Sequence, residues 1–314
     1  MNVVGKNTEP LISVIMAAYN CERYVDQAID SILSQSHKNL ELLIIDDCST
    51  DNTWLRIKKH TDERINATKN PTNLGYLKTT NKLFEACNGE YIAFQDADDW
   101  SLPVRLQLQV ELLTEKPDLD FCGTSCTKFF DDGFRVNVKY PKSDLALRSA
   151  LSLGVTSLFC GSSIVIKSTA LRSLGYYREF FDRIGAEDID WYLRGLELGK
   201  AENTQKHLYH YRQHSSSISV TRSKGIAKHG IDIAYALHRQ RTFSGTDSID
   251  STRNLREELE QILGNNTKTE SLKKSRSRFQ KALTIASTLT VTKIIVGLNR
   301  IMKSKKLLGI LEQL

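Results

Sequence analysis

Over the first 130 residues, short apolar runs alternate with amphipathic stretches of helical spacing, and each suspicious polar cluster sits where an apolar run stops. The runs are Leu11 to Ala18, Leu40 to Ile45, Ile65 to Thr68 and Tyr91 to Phe94; Tyr24 to Ser34, Thr53 to Lys59 and Leu77 to Ala86 lie between them. This βαβα rhythm predicts an α/β fold: a doubly wound, mainly parallel sheet with helices on both faces and ligands gathered at the carboxyl ends of the strands. Ala17-Ala18-Tyr19-Asn20 ends the first run, Asp46-Asp47-Cys48-Ser49-Thr50-Asp51 the second and Asp96-Ala97-Asp98-Asp99 the fourth.

Farther along, Pro103 opens a helix to about Glu115, Leu119 to Phe130 reads as a strand and Asp131-Asp132-Gly133 as a turn. Ile164 to Ile166 reads as a strand, Glu187 to Leu198 as a helix and Leu208 to Tyr211 as a strand, and helical spacing dominates from Lys224 onward. The expected division is an α/β domain over residues 1–220 and a basic, amphipathic helical extension over 221–314.

The chemistry concentrates at the fourth run. Residues two apart on a strand share a face, so Asp96 and Asp98 are expected to point the same way while Asp99 begins the turn. Neighbouring carboxylates raise each other's pKa unless a cation offsets them, and such a pair suits Mg²⁺ or Mn²⁺ carrying a substrate phosphate. A solvated acidic turn fits the same four residues. At the second run Ser49 or Asp51 can cap the next helix, whereas Asp46 and Asp47 are able to accept the imide N–H of a uracil on which Tyr19 stacks.

Composition narrows the classes. Charged residues make up 25% of the chain, hydrophobic ones 40%, and mean hydropathy is −0.34, which excludes disordered and collagen-like chains. No segment has the roughly 18 uninterrupted apolar residues of a membrane span, and Leu11 to Ala18 lacks the flanks of a signal peptide, so a cytoplasmic protein is expected. The six cysteines have no CxxC spacing and read as reduced and partly buried, without zinc. The net charge of +6 is uneven: between Ser271 and the C-terminus Lys273, Lys274, Arg276, Arg278, Lys281, Lys293, Arg300, Lys303, Lys305 and Lys306 are opposed only by Glu312. The remainder is slightly acidic, so nucleic acid is not an expected partner. The apolar faces of the basic tail fit helices lying on an anionic membrane, which would place the protein at the inner face of the cell membrane. They fit equally a helical cap on the α/β domain or on a second copy, so the oligomeric state stays open.

Taken together, Ser13-Val14-Ile15-Met16-Ala17-Ala18-Tyr19-Asn20, Asp46-Asp47-Cys48-Ser49-Thr50-Asp51, Asn73-Leu74-Gly75, Asp96-Ala97-Asp98-Asp99, Glu187-Asp188 and Tyr211-Arg212-Gln213-His214 occur in an order that resembles the inverting family 2 glycosyltransferases of the GT-A fold. The resemblance covers about residues 11–219. It implies that Ala17, Tyr19 and Asp47, with Asn20 and Asp46 beside them, hold the uracil of a nucleotide-sugar donor. It gives Asp96 the ribose or a metal-bound water, Asp98 the divalent ion and Asp188 the role of catalytic base, with Glu187 orienting the base or the acceptor. Arg212 and Lys78 are implied near the donor pyrophosphate and His214 near the metal. At Tyr76-Leu77-Lys78-Thr79-Thr80-Asn81 the chain departs from relatives that carry arginine before the asparagine. The QxxRW signature of processive synthases is absent, which points to a single transfer onto a saccharide or lipid-linked saccharide in surface-glycan assembly.

Other readings compete. A sugar nucleotidyltransferase or a dinucleotide-binding oxidoreductase needs a glycine-rich loop after the first strand, and Ala17-Ala18-Tyr19-Asn20 has no glycine. A phosphatase using an aspartate nucleophile places its DxD after the first strand. Glu187-Asp188 at a helix start also fits a favourable dipole interaction. The non-enzyme alternative is a degenerate nucleotide-sugar-binding or scaffolding protein.

Overall fold

The structure is a computed structural model that describes residues 9–214 and 229–251. It divides into two compact units, residues 1–235 and 236–314. The expected boundary near residue 220 and the basic segment after Ser271 lie outside the described residues.

In the first unit, β1 (Ile12–Ala18), β2 (Leu40–Asp46), β3 (Ile65–Lys69) and β4 (Tyr91–Phe94) alternate with α1 (Val25–Leu33), α2 (Thr53–Ile57) and α3 (Tyr76–Ala86). There follow β5 (Trp100–Ser101), α4 (Arg105–Glu115), β6 (Phe121–Phe130), β7 (Arg135–Val138), α5 (Asp144–Ser152), a 3₁₀ turn (Gly161–Ser163), β8 (Val165–Lys167) and α6 (Ser168–Leu174). A second 3₁₀ turn (Glu179–Phe181), α7 (Glu187–Leu198) and β9 (Ala201–Gln213) come next. The remaining described elements are α8 (Gly230–Ser244) and α9 (Ser248–Ser251).

The strands form one sheet in the order β3-β2-β1-β4-β8-β6-β9-β5, with β7 hairpinned onto β6. The parallel half is the one the alternation predicts: β1 lies parallel to β2 and β4, and β2 to β3. Strands β2 and β4 read as nearly unbroken apolar runs because both faces are covered, and every residue of β4 is buried. Helix α1 buries Val25, Ala28, Ile29 and Ile32, the i, i+3, i+4, i+7 stripe of an amphipathic helix. Beyond β4 the sheet turns mixed. Strand β8 is antiparallel to β4 and β6, whereas β9 runs parallel to β6. Strand β9 starts seven residues before the expected Leu208, because polar residues such as Asn203 pair with β6 while their side chains find partners: Asn203 Nδ2 donates to the carbonyls of Pro141 and Leu158.

Helix α7 spans the expected Glu187–Leu198. Trp191, Leu193 and Leu196 are buried, and Trp191 stacks against Phe84 and meets Phe94 and Tyr177 edge-on. Its indole N–H donates to the Gly175 carbonyl at 2.9 Å. Helix α7 is thereby tied to α3 and β4. All six cysteines are free, and Cys21, Cys122, Cys126 and Cys160 are buried. Among the described residues no helix is long and apolar enough to cross a membrane.

Candidate active site

The strand order reverses between β1 and β4, and the crevice at that switch point is where an open α/β sheet offers its loops to a ligand. A small cleft there is lined by Ile15, Ala17, Tyr76, Phe94, Gln95 and Asp96. Tyr19 stands half-exposed at the end of β1. Asn20 follows in the left-handed region (φ 49°), and its Oδ1 accepts the Thr50 N–H at 2.9 Å while its own N–H donates to Ser49 Oγ. The loops after β1 and β2 are thus laced together.

Asp46 and Asp47 part company at the end of β2. Asp46 is buried, with Oδ2 3.2 Å from the Ser49 amide and 3.3 Å from Lys69 Nζ; among the described residues its Oδ1 accepts no hydrogen bond. Asp47 accepts the backbone N–H groups of Leu74 and Gly75 and the Asn70 amide, each at 2.8 Å. That explains the Asn73-Leu74-Gly75 signature: the turn needs φ of 90° at Gly75 to aim two N–H groups at one carboxylate. Lys78, one turn into α3, pairs with Asp182 at 3.5 Å.

The acidic cluster is tighter than strand alternation predicts. Strand β4 stops at Phe94, and the chain turns so that the Asp99 N–H reaches the Asp96 carbonyl at 3.3 Å. In place of a shared strand face for Asp96 and Asp98 alone, carboxylate oxygens of Asp96, Asp98 and Asp99 all lie within 4.8 Å of one another. Burial and the charge of Asp98 push Asp96 up to about 7, against the Ser162 hydroxyl bonded to it, and burial with the charges of Asp98 and Asp96 pushes Asp99 well above the ordinary carboxylate range. Three converging hard oxygens whose charges burial opposes fit a divalent cation.

The tail of β9 closes over this cluster. His214 Nε2 lies 3.1 Å from Asp98 Oδ2. The Arg212 N–H donates to Asp99 Oδ1 at 2.6 Å, and its side chain donates from Nε to the Asp98 carbonyl at 2.9 Å and from Nη2 to Gln27 Oε1 at 2.7 Å. The guanidinium is sandwiched between the rings of Tyr24 and Trp100, 4.5 and 4.7 Å from their centroids. A shift in β9 register after Thr124 brings the Tyr209 hydroxyl 3.1 Å from the Asp96 N–H.

Glu187 and Asp188 open α7 and diverge: Glu187 is buried and Asp188 half-exposed. The charge of Asp188 is among those that raise Asp96, Tyr76 and Tyr177, so the two aspartates feel each other's charge across the crevice. Two residues on, Asp190 is fully buried between Arg178 and Arg194, with Arg178 Nε at 3.0 Å and Arg194 Nε at 3.1 Å from Oδ2. Arg194 donates further to the carbonyls of Leu174 and Tyr176.

Sequence reasoning missed Asp190, Arg178, Ser162, Tyr24 and Trp100. Only the i, i+4 spacing of Asp190 and Arg194 was visible as a pattern; the rest meet through tertiary contacts between distant segments.

Residues 13–175 match the model of glycosyl transferase family 2. The chain belongs to that family. The match covers the crevice, the DADD turn and Ser162, and ends before α7 and β9. The EpsE protein of Bacillus subtilis, named as a glycosyltransferase, is 37% identical over 219 residues, covering 67% of this chain and 76% of that one. WfaP of Escherichia coli, named a UDP-Glc:alpha-D-GlcNAc-diphosphoundecaprenol beta-1,3-glucosyltransferase, is 31% identical over 220 residues, 69% of this chain and 83% of that one. Among solved structures, residues 1–349 of S. aureus TarS in complex with UDP align with a TM-score of 0.57 at 18% identity, over 80% of this chain and 78% of that one. The mannosyltransferase PcManGT of Pyrobaculum calidifontis, in complex with GDP-Man and Mn2+, aligns with a TM-score of 0.51 at 20% identity, over 92% and 81%. The family 2 chain therefore has the GT-A fold and is a glycosyltransferase by family.

Cation binding at the acidic turn would have a measurable sign. Asp96 sits at about 7 in the folded protein against an ordinary 3.8, so between those values the folded state holds a proton that the unfolded chain has lost. Stability from this group is full below about pH 4 and falls as pH rises toward 7. A Mn²⁺ ion bound there would take the place of that proton, so MnCl₂ should raise the melting temperature more at pH 7.5 than at pH 5. Equal shifts at both pH values would count against a cation at these carboxylates.

Proposed function

We propose that the protein transfers one sugar from a UDP-sugar to a saccharide or lipid-linked saccharide acceptor in surface-glycan assembly, with inversion and with Mn²⁺ or Mg²⁺ bound at Asp98 and His214. The observation that carries the reading is the convergence of Asp96, Asp98 and Asp99 at the carboxyl end of β4 with the Asp188 charge beside them. The names of EpsE and WfaP support the reaction class, and that of WfaP supports a UDP-sugar and a diphosphate-lipid acceptor.

In this reading the cleft beside Ala17 takes the uracil, with Tyr19 stacking on it and Asn20, Asp46 and Asp47 holding the surrounding loops. Asp96 faces the ribose. Lys78 and Arg212 flank the phosphates; the hydrogen bonds of Arg212 make its principal work there the holding of the acidic turn. A bound divalent ion supplies Lewis-acid stabilisation of the negative charge that grows on the departing UDP. The acceptor hydroxyl is a poor nucleophile, so Asp188 takes its proton as it attacks the anomeric carbon from the side opposite UDP, with Glu187 orienting base or acceptor. A single acceptor-directed carboxylate and attack from one side invert the anomeric centre.

The test is UDP release from a panel of UDP-sugars with Mn²⁺. One donor should be hydrolysed slowly, with activity lost on EDTA treatment and restored by Mn²⁺. Tight UDP-sugar binding without any turnover in the presence of candidate acceptors would instead identify a degenerate binding protein. Peripheral membrane contact belongs to the same reading, supported by the basic residues after Ser271; the full chain should co-sediment with anionic vesicles more than one ending near Ser271, and equal co-sedimentation would remove that contact.

A further inference from the structure

We propose that Ser162 is a positioning residue for the transfer reaction, holding the Asp96 carboxylate from the same three-residue turn against which the Asp188 carboxylate rests. The proposal depends on the donor-side and base roles of Asp96 and Asp188 given above.

The Ser162 hydroxyl donates to Asp96 Oδ2. Among the described residues the other oxygen of Asp96 receives the Tyr76 hydroxyl, at 3.5 Å, so Ser162 makes the closer of the two side-chain contacts. One residue earlier, Gly161 lies against Asp188: a Cβ built there would stand 2.7 Å from Asp188 Oδ2 and 3.6 Å from its Cβ and Cγ. Asp188 occupies the space that any other residue at position 161 would fill.

The turn is itself fixed from below. Ser163 is fully buried; its hydroxyl donates to the Cys160 carbonyl at 2.8 Å and receives the Thr124 N–H at 3.2 Å. Its carbonyl accepts Gln109 Nε2 at 2.9 Å and an Arg105 guanidinium N–H at 3.4 Å. The same guanidinium donates to the carbonyl of Phe94, the last residue of β4, at 3.2 Å, while the Phe94 N–H reaches the Ile164 carbonyl at 3.0 Å. Arg105 is fully buried under Tyr209. A buried guanidinium is worth its desolvation only where its hydrogen bonds are needed, and here they join the strand that delivers Asp96 to the turn that delivers Ser162. Asp96 and Asp188 come from elements about 90 residues apart in sequence, yet one rigid turn touches both. A misplacement of about 1 Å between donor and base can cost about 100-fold in rate, so a common support has a kinetic consequence.

The experiment compares wild type with Ser162→Ala, Ser162→Thr and Gly161→Ala, reading UDP affinity with Mn²⁺ by calorimetry, UDP release from the hydrolysed donor, and melting temperature. Loss of a hydrogen bond to a charged group predicts that Ser162→Ala weakens UDP–Mn²⁺ binding about tenfold with little change in melting temperature, and that Ser162→Thr, which keeps the hydroxyl, returns to within about threefold of wild type. Gly161→Ala should leave UDP affinity in place and lower kcat by about 100-fold, because it displaces Asp188 and not Asp96. Wild-type affinity and turnover in Ser162→Ala would overturn the proposal. So would an equal loss in the alanine and threonine variants, or losses that follow melting temperature alone. A wild-type protein that binds no UDP-sugar overturns the donor assignment itself, and is recognised before any substitution is made.

Discussion

Asp188→Asn should lower the rate of UDP release by about 10³-fold while UDP–Mn²⁺ binding stays within about twofold of wild type, a loss inside the range of general-base catalysis. The substitution keeps shape and volume, so the contact with Gly161 and the hydrogen bond from the Ile189 N–H to Oδ1 can both persist. What it removes is the ability to take a proton. In the proposed reaction the loss belongs in kcat, because the acceptor hydroxyl would be deprotonated as it attacks and not while the donor binds. Glu187 cannot replace it: the neighbouring side chain leaves the helix about 100° away and is buried. A loss below tenfold, or a parallel collapse of UDP affinity, would remove Asp188 from the role of base.

Asp190→Ala is expected to destabilise the protein by about 3–5 kcal/mol, the cost of deleting one partner from a buried ion pair. For a unit of this size that corresponds to a fall of about 10 °C in melting temperature. The carboxylate is fully buried, and the two arginines that converge on it are 14–16% exposed, so its loss strands positive charge where water cannot restore it. Asp190→Asn should cost less, since the amide oxygen still accepts from one guanidinium. Because Arg194 also binds the carbonyls of Leu174 and Tyr176, the damage should spread to the segment ahead of α7 and reduce kcat as well. A fall under about 3 °C for Asp190→Ala would mean that water enters the site and solvates the arginines.

Local signals carried the reading far. The βαβα alternation is legible because a strand covered on both faces must be an unbroken apolar run, and an amphipathic helix must repeat every three or four residues. Both properties are local. The limits of α7 were legible because apolar spacing and an acidic first turn coincide with Leu198-Gly199 at its end. The acidic turn was legible as chemistry, since three carboxylates in four residues have few stable arrangements. Its geometry was less so: Asp99 joins Asp96 and Asp98 because the chain turns after Phe94, and alternation describes only extended chain.

Other features have no local signature. Helix α5 buries only Leu147 among its nine residues, so its apolar stripe is faint. The β6–β7 hairpin follows a turn that was visible, but β7 itself is half-exposed and lacks an apolar run. Asp47 looked like a uracil ligand and is also the anchor of the Leu74-Gly75 turn, a role that exists only once β2 and α3 are side by side.

By itself, then, the order of residues determined the parallel half of the sheet, the helix bearing Glu187 and Asp188, the acidic turn and membership of a glycosyltransferase family, because each is written in neighbours or in short periodic spacing. Tertiary structure alone decided that Ser162 meets Asp96, that Gly161 makes room for Asp188, that Arg178 joins Arg194 on Asp190, and that Arg212 is clasped between Tyr24 and Trp100. These partners are separated by up to about 190 residues, and hydrogen bonds and ring stacking act only over a few ångströms, so nothing in either segment marks the other until the sheet brings them together.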